Sequence, residues 1–581
     1  MYKKCYQGKK LGHNVWEMHL WEEDKGHQVI PYENIAYQEC KEEEHTNIGL
    51  NGEYLKHTNN WYFSKNPNYS NKNTPNLHFH DMKLHQKFLV ERYGINDVPS
   101  TGHREVFFDI ECEIGGELTE DYIESAPMPI TSIAWWDKTP DTWHILILDK
   151  KGQLNHTKAK NKEIIPCQTE NELLAKFIEK IRDIDPDILI GYNSDYFDIP
   201  YLYYRTCNIL GKEFADRMSP IGKVTSSLTR HKDTIKGKNF QEVDIKGLSS
   251  LDYMRMHKKY SWADEPSWKL DAIGEKYAGI NKIEYEGNLD DLFESDIQKF
   301  IQYNFVDVEI LVKLDENLEY LSVTKNLAHK GKHLYHEIYA NTVTQDGAIS
   351  AYLLGKGIVP PNKDPHINHT DSYAGGYLFC PKAGIYNYVF DEDLTSLYPC
   401  IIMSLNIGKE TLMGYIIDPN TRNNRLGLND LKEMDPNKPL LIKNNKNKRA
   451  ELTVSQLIKF IKSNKWTISA NGTMYATDRQ SVLSSILAKW FDERVYYKGE
   501  MKKAYVAGDK ELGAKFHMKQ YTMKILLNSL YGATALASFR YGNRTLSSSI
   551  TLSGQRIIQE SALAANRHMN AVVRGQKDLV L

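Results

Sequence analysis

The sequence predicts a multidomain chain combining α/β and α+β parts, and three observations carry that prediction. Its 581 residues exceed what one ordinary hydrophobic core organises, so three or four domains are expected. Between about 105 and 323, short apolar strand-like runs alternate with amphipathic helical patterns, the arrangement an α/β unit requires. Further on, long helical patterns from Ala488 to Lys524 carry nine Lys and Arg against five Asp and Glu, which suits a pair of helices facing phosphate.

Residues 1 to about 104 are polar and aromatic and hold no chemical constellation. The α/β unit opens on REVFFDIEC, where Asp109 and Glu111 stand two apart on a strand-like run. Side chains alternate across a strand, so both leave the same face and can share a metal. Asp-x-Glu alone is a weak signal, and it recurs at Asp307 with Glu309 and at Asp509 with Glu511. It gains weight from GYNSDYFDIPYL, which places Asn193, Phe197 and Asp198 just after the apolar run DILI. FIQYNFVDVEILVKL adds Tyr303 and Asp307 at i, i+4 on one face of an amphipathic helix. Holding two divalent ions about 3.5 to 4 Å apart needs anionic ligands against the ions' mutual repulsion. Between the second and third blocks, the stretch from Ser219 to Ser261 reads as two polar strands around a Gly-containing turn, then a helix.

A second chemistry begins after SYAGGYLFCPKAGIYNY, whose Gly375 and Gly376 permit close backbone approach. NYVFDEDLTSLYP runs from a strand-like segment into acidic residues and a turn that ends at Pro399. A carboxylate there, Asp393, with the backbone amides of the following turn, is able to hold a metal on one side and a triphosphate on the other. From Asp418 to Lys448 an Asn-, Lys- and Pro-rich stretch predicts a flexible loop. WFDERVYYKGEMKKAY then sets Arg494 and Lys498 at i, i+4, and KILLNSLYG sets Lys524, Asn528 and Tyr531 at i, i+4 and i+7. After ATALASF comes a long helical pattern, and the last residues, QKDLVL, read as the start of an apolar strand.

Composition narrows the class. Net charge is −2, from 73 Lys and Arg against 75 Asp and Glu, so any basic nucleic-acid path is local. The seven cysteines form no Cys-x-x-Cys pair, which argues against a zinc site and for reduced thiols in a cytosol. The N-terminus lacks an apolar leader, and no run approaches the roughly 18 apolar residues that span a bilayer, so no membrane partner is expected.

Together these blocks resemble family B DNA polymerases of the T-even bacteriophage type. DLTSLYP is similar to palm motif A and KILLNSLYG to fingers motif B. Asp109, Glu111, Asp198 and Asp307, in that order, resemble the three motifs of the fused DnaQ-like (RNase H-like) 3′–5′ exonuclease. The resemblance implies two Mg²⁺ or Mn²⁺ ions per active site, with Asp393 and Leu394 at the polymerase metals and Tyr303 orienting the exonuclease water. Tyr398 would be the steric gate against a ribose 2′-hydroxyl. Arg494, Lys498, Lys524 and Asn528 would grip the incoming dNTP, together with Leu394 and Ser396, and Leu397 and Tyr531 would pack on the nascent base pair. Two departures stand out: Cys400 where the family usually has Ser, and Glu392 where an apolar residue is usual.

By the same resemblance, residues 1–104 with 324–366 form an N-terminal domain, 105–323 the exonuclease, 367–455 and 534–581 the palm, and 456–533 the helical fingers. Palm motif C, Asp-Thr-Asp-Ser in the family, does not occur in the sequence, and neither does a thumb. The expectation is therefore the N-terminal subunit of a split DNA polymerase, acting on primer-template and single-stranded DNA in a host cytoplasm. A second polypeptide would supply motif C and the thumb, and a sliding clamp is a family-level partner. Asp391, at i−2 from Asp393, is the alternative second ligand. A stand-alone exonuclease and a non-catalytic DNA-binding remnant are the other two readings.

Overall fold

In a computed structural model, described for residues 1–12, 14–58, 77–113, 115, 120–230, 239–261, 263–364, 375–380, 382–385, 392–417, 427–445, 448–536 and 538–575, the chain forms two compact units. One comprises residues 1–34, 84–89 and 96–340, and the other 35–83, 90–95 and 341–581.

The first unit is built on a seven-stranded mixed sheet. Its order is Thr157–Ala159, Lys162–Cys167, Thr142–Leu148, Ile130–Asp137, Glu105–Cys112, Ile188–Gly191 and Ser249–Asp252. Glu105–Cys112 pairs antiparallel with Ile130–Asp137 and parallel with Ile188–Gly191, the mixed geometry expected when helices cover both faces. Register divides the side chains cleanly. Phe107, Asp109 and Glu111 stand opposite Trp136, Ala134 and Ser132, so the two acids leave the sheet beside small neighbours.

The 22-residue helix Ile297–Leu318 lies across that face, and Phe305 meets Trp143 edge-on at 6.3 Å. The opposite face carries Trp135, 5.8 Å from Phe177 of helix Glu170–Ile184. That helix buries Leu173, Leu174, Phe177, Ile178 and Ile181, and Thr169 caps its start by accepting from the Glu172 amide. Beside the sheet, Tyr2–Gly12, Val15–Glu22 and Gly26–Glu33 form a separate antiparallel sheet, and the Tyr2 hydroxyl donates to the Ala328 and His333 carbonyls. The stretch after Ser219 gives the expected hairpin, Val224–Arg230 with Asn239–Ile245, followed by helix Tyr253–Tyr260.

The second unit contains a five-stranded sheet in the order Ile358–Val359, Asn47–Gly49, Tyr54–Thr58, Ala36–Glu39 and Leu77–His78. A second five-stranded sheet runs Arg449–Thr453, Pro439–Asn444, Leu412–Ile417, Thr473–Tyr475 and Thr467–Ile468. The stretch expected to be a flexible loop therefore contributes helix Leu428–Glu433 and strand Pro439–Asn444. The physical reason is apolar content: Leu431, Leu440 and Ile442 join Val454, Leu457, Ile461 and Met474 in one core. The same core takes in helix Val454–Ser463, so the long helical pair begins only at Val482. That pair, Val482–Val506 and Lys510–Thr534, folds back on itself through a three-residue turn and packs along its length.

One amide helps to fasten the base of the pair. Asn406 ends helix Leu397–Leu405, donates to the Ala476 and Arg479 carbonyls and accepts from the Ser481 N–H. Arg540 is fully buried, with Nε 2.7 Å from Asp346, a contact to Asp81 and a bond to the Pro361 carbonyl at 2.6 Å. Helix Arg544–Gly575 closes the described chain, and both QKDLVL and Asp391 lie outside the described residues.

Candidate active sites

The carboxylates foreseen in the first unit converge. Ligand oxygens of Asp109, Glu111 and Asp307 lie within 4.8 Å of one another. Asp198, the first residue of helix Asp198–Leu210, joins them through its carboxylate, which accepts from the Ile110 amide at 3.3 Å. Strand alternation delivers the first two acids, a turn after Ile188–Gly191 the third, and helix Ile297–Leu318 the fourth.

Two further residues complete the site, and neither was foreseen from sequence. Asn304 is fully buried, donates to Asp109 Oδ2 at 2.8 Å and accepts from Ser132 Oγ at 2.8 Å. Its signal was available, since Tyr303, Asn304 and Asp307 share one side of a helix at spacings of one and three. Lys282 Nζ stands 2.5 Å from Asp307 Oδ2 and 3.0 Å from the Tyr303 hydroxyl, reaching in from a segment without periodic pattern.

The electrostatics are those of an under-neutralised anionic pocket. Burial first, then the charges of Glu111, Asp198 and Asp307, push the Asp109 carboxyl well up. Burial and Asp307 push Glu111 up to about 8. Burial raises Asp198 to about 7 against the pull of the Ile110 amide, and raises Asp307 to about 6 against Lys282. Lys282 itself is held above its ordinary value, because Asp307, Tyr303 and Asp109 outweigh its own desolvation. Asp307 Oδ1 is buried with no hydrogen-bond partner. A buried carboxylate oxygen left bare, within a cluster short of positive charge, fits divalent-cation ligation.

In the second unit Asp393 and Leu394 are exposed at the turn, and Ser396, at φ +54°, leads into helix Leu397–Leu405. The Tyr398 ring lies 4.3 Å from that of Tyr531, a contact between the two segments singled out from sequence. Two glycines leave room for Tyr398: a Cβ on Gly554 would stand 2.9 Å from its ring, and one on Gly376 would stand 3.2 Å from its hydroxyl. Arg494 and Lys498 sit on the first helix of the long pair, and Lys524 and Asn528 on the second. Lys498 and Asn528 are exposed and Lys524 is half-buried. Arg494 keeps a buried Nε without a hydrogen-bond partner, and burial lowers its pKa. Beside Asp393 a cavity of about 510 Å³ is lined by Leu394, Leu397, Ile401 and Ile557.

Comparison with known proteins places both parts of the chain in one family. Residues 59–273 match the model of the DNA polymerase family B exonuclease domain, and residues 345–579 that of DNA polymerase family B. The DNA-directed DNA polymerase of Escherichia phage RB69 is 28% identical over 457 residues, covering 70% of this chain and 46% of the relative. That of Enterobacteria phage T4 is 24% identical over 653 residues, covering 97% and 66%. A DNA polymerase of Pyrococcus glycovorans is 24% identical over 504 residues, covering 83% and 53%. The chain thus spans between about half and two thirds of the length of these relatives. With two matched models in sequence order and a carboxylate site assembled as the exonuclease motifs imply, the chain belongs to the family B DNA polymerases.

Proposed function

We propose that the chain performs 3′–5′ exonucleolytic proofreading and grips the incoming nucleotide for a DNA-directed DNA polymerase of phage type. The observation that carries this reading is the cluster of Asp109, Glu111 and Asp307, with Asp198 beside it and Asn304 and Lys282 bound to its members. When bound, two divalent ions, Mg²⁺ or Mn²⁺, would supply an activated water and stabilise the leaving oxygen. Asp109, Glu111, Asp198 and Asp307 are the residues that would hold them. Asn304 fixes the Asp109 carboxylate, so its second oxygen is free to face a ligand. Lys282 compensates part of the negative charge and orients Tyr303, whose hydroxyl would position water at the scissile phosphate.

In the second unit Asp393 would hold metal, Tyr398 would exclude a ribonucleotide, and Arg494, Lys498, Lys524 and Asn528 would bind the triphosphate. Leu394, Ser396, Leu397 and Tyr531 would complete the nucleotide pocket. The 581 residues contain no Asp-Thr-Asp-Ser motif, so for nucleotidyl transfer the second metal-binding aspartate and a thumb would come from outside these residues, in the split reading from a second polypeptide. The apolar lining of the cavity beside Asp393 suits burial under such further palm residues. Primer-template DNA and dNTPs would be substrates of that assembly, in a host cytoplasm, with a sliding clamp as partner. The clustering of the exonuclease carboxylates supports one second reading, a stand-alone exonuclease whose other unit only binds DNA.

The test is degradation of 3′-labelled single-stranded DNA by the purified chain with Mg²⁺ or Mn²⁺. Combined Asp109→Ala and Glu111→Ala must abolish it, and persistence would overturn the exonuclease assignment. Primer extension upon addition of a motif C-bearing partner separates split polymerase from stand-alone exonuclease.

A further inference from the structure

Asp252 is fully buried at the end of strand Ser249–Asp252 and is not one of the four clustered carboxylates. Its Oδ1 accepts three backbone amides. Two, from Met254 at 2.9 Å and Arg255 at 3.3 Å, belong to the first turn of helix Tyr253–Tyr260 and make an ordinary N-cap. The third comes from Asn193 at 3.0 Å, across the parallel pairing with strand Ile188–Gly191.

Asn193 has φ +59°, a left-handed conformation that Asn tolerates but that local bonds must hold. Its carbonyl accepts from Tyr196 at 3.1 Å and Phe197 at 3.2 Å, and the Ser194 carbonyl accepts from Ile199 at 3.1 Å. The turn thus runs directly into helix Asp198–Leu210, whose first residue bonds the strand bearing Asp109 and Glu111. We infer that Asp252 is a positioning residue: by holding the Asn193 turn, it sets where the Asp198 carboxylate stands against Asp109 and Glu111. This rests on the exonuclease reading of the cluster.

The link predicts a metal phenotype. Loss of the Asp252 acceptor releases the turn, so Asp252→Ala should raise the half-saturating Mn²⁺ for single-strand degradation by about 10- to 100-fold, as is typical of outer-sphere partners. The half-saturating DNA concentration should not change. Asp252 Oδ2 has no hydrogen-bond partner, so Asp252→Asn, which keeps the bonded oxygen, should restore the Mn²⁺ requirement. Asn193→Val strains the turn from its other end while leaving Asp252 and its cap intact, and should raise the requirement too. Thr169→Ala deletes a comparable cap on helix Glu170–Ile184, and should lower the melting temperature without moving the Mn²⁺ requirement.

An unchanged Mn²⁺ requirement in folded Asp252→Ala overturns the inference, as does an equal shift in Thr169→Ala. If Asp252→Ala does not fold, Asn193→Val decides in the same way. Mn²⁺ binding read directly by electron paramagnetic resonance keeps the two questions apart. A chain that degrades no DNA but loses Mn²⁺ affinity on Asp252→Ala would refute the exonuclease reading while retaining this link.

Discussion

Lys282 Nζ stands 2.5 Å from Asp307 Oδ2 and 3.0 Å from the Tyr303 hydroxyl, so one ammonium serves two residues a helical turn apart. Its positive charge draws the Asp307 carboxyl down against the burial that raises it.

Replacing Lys282 by Met should therefore raise the Asp307 pKa further. The acid limb of the pH–rate profile for single-strand degradation should move to higher pH, and Lys282→Arg should move it back. A profile that falls in height without shifting would refute the charge role.

Metal-free stability should fall as pH rises. The folded-state pKa values are raised, to about 6 for Asp307, about 7 for Asp198 and about 8 for Glu111, so the folded form holds protons the unfolded chain has released. Stability from these groups is present in full below their unfolded values near 4 and is lost as pH rises from there through the folded values, between about 4 and 8. Thermal melts in chelator should show the first unit weakening across that window, and Mn²⁺ should restore more at pH 8 than at pH 5.

Asn304→Leu removes the donor to Asp109 and strands the Ser132 hydroxyl. Exonuclease rate at saturating DNA should drop by about 10- to 100-fold, as for other residues that orient metal ligands. Ser132→Ala should lower it in the same direction by less, because Asn304 keeps its bond to Asp109.

Arg540→Leu removes the buried guanidinium from half-buried Asp81 and from buried Asp346, which keeps Lys363 at 3.6 Å. Breaking such a cluster from one side should destabilise the second unit by about 3–5 kcal/mol, read as a lower urea midpoint. The exonuclease cluster of the first unit should retain its activity in dilute buffer.

The sequence was legible where geometry follows from short spacing. Asp109 and Glu111 share a face because a strand alternates, and Tyr303 and Asp307 because a helix repeats, so their convergence needed no long-range information. Lys282 was invisible for the opposite reason: its role depends on a segment folding back 25 residues onto Asp307. Asn304 was overlooked because a buried amide between an aromatic and an apolar residue resembles core packing until its two partners are seen. Between Asp418 and Lys448, polar composition masked Leu431, Leu440 and Ile442, three apolar residues that suffice to anchor a helix and a strand.

The bonds of Asn406 carry a mechanical consequence. The helix that begins just after Asp393 ends at this amide, and the long helix bearing Arg494 and Lys498 begins at the Ser481 amide it also holds. Asn406 therefore ties the two segments at one place, where the Ser481 and Ser484 hydroxyls also donate to the Ile407 and Ile402 carbonyls. Displacing the start of the long helix from the helix after Asp393 would have to break these bonds together.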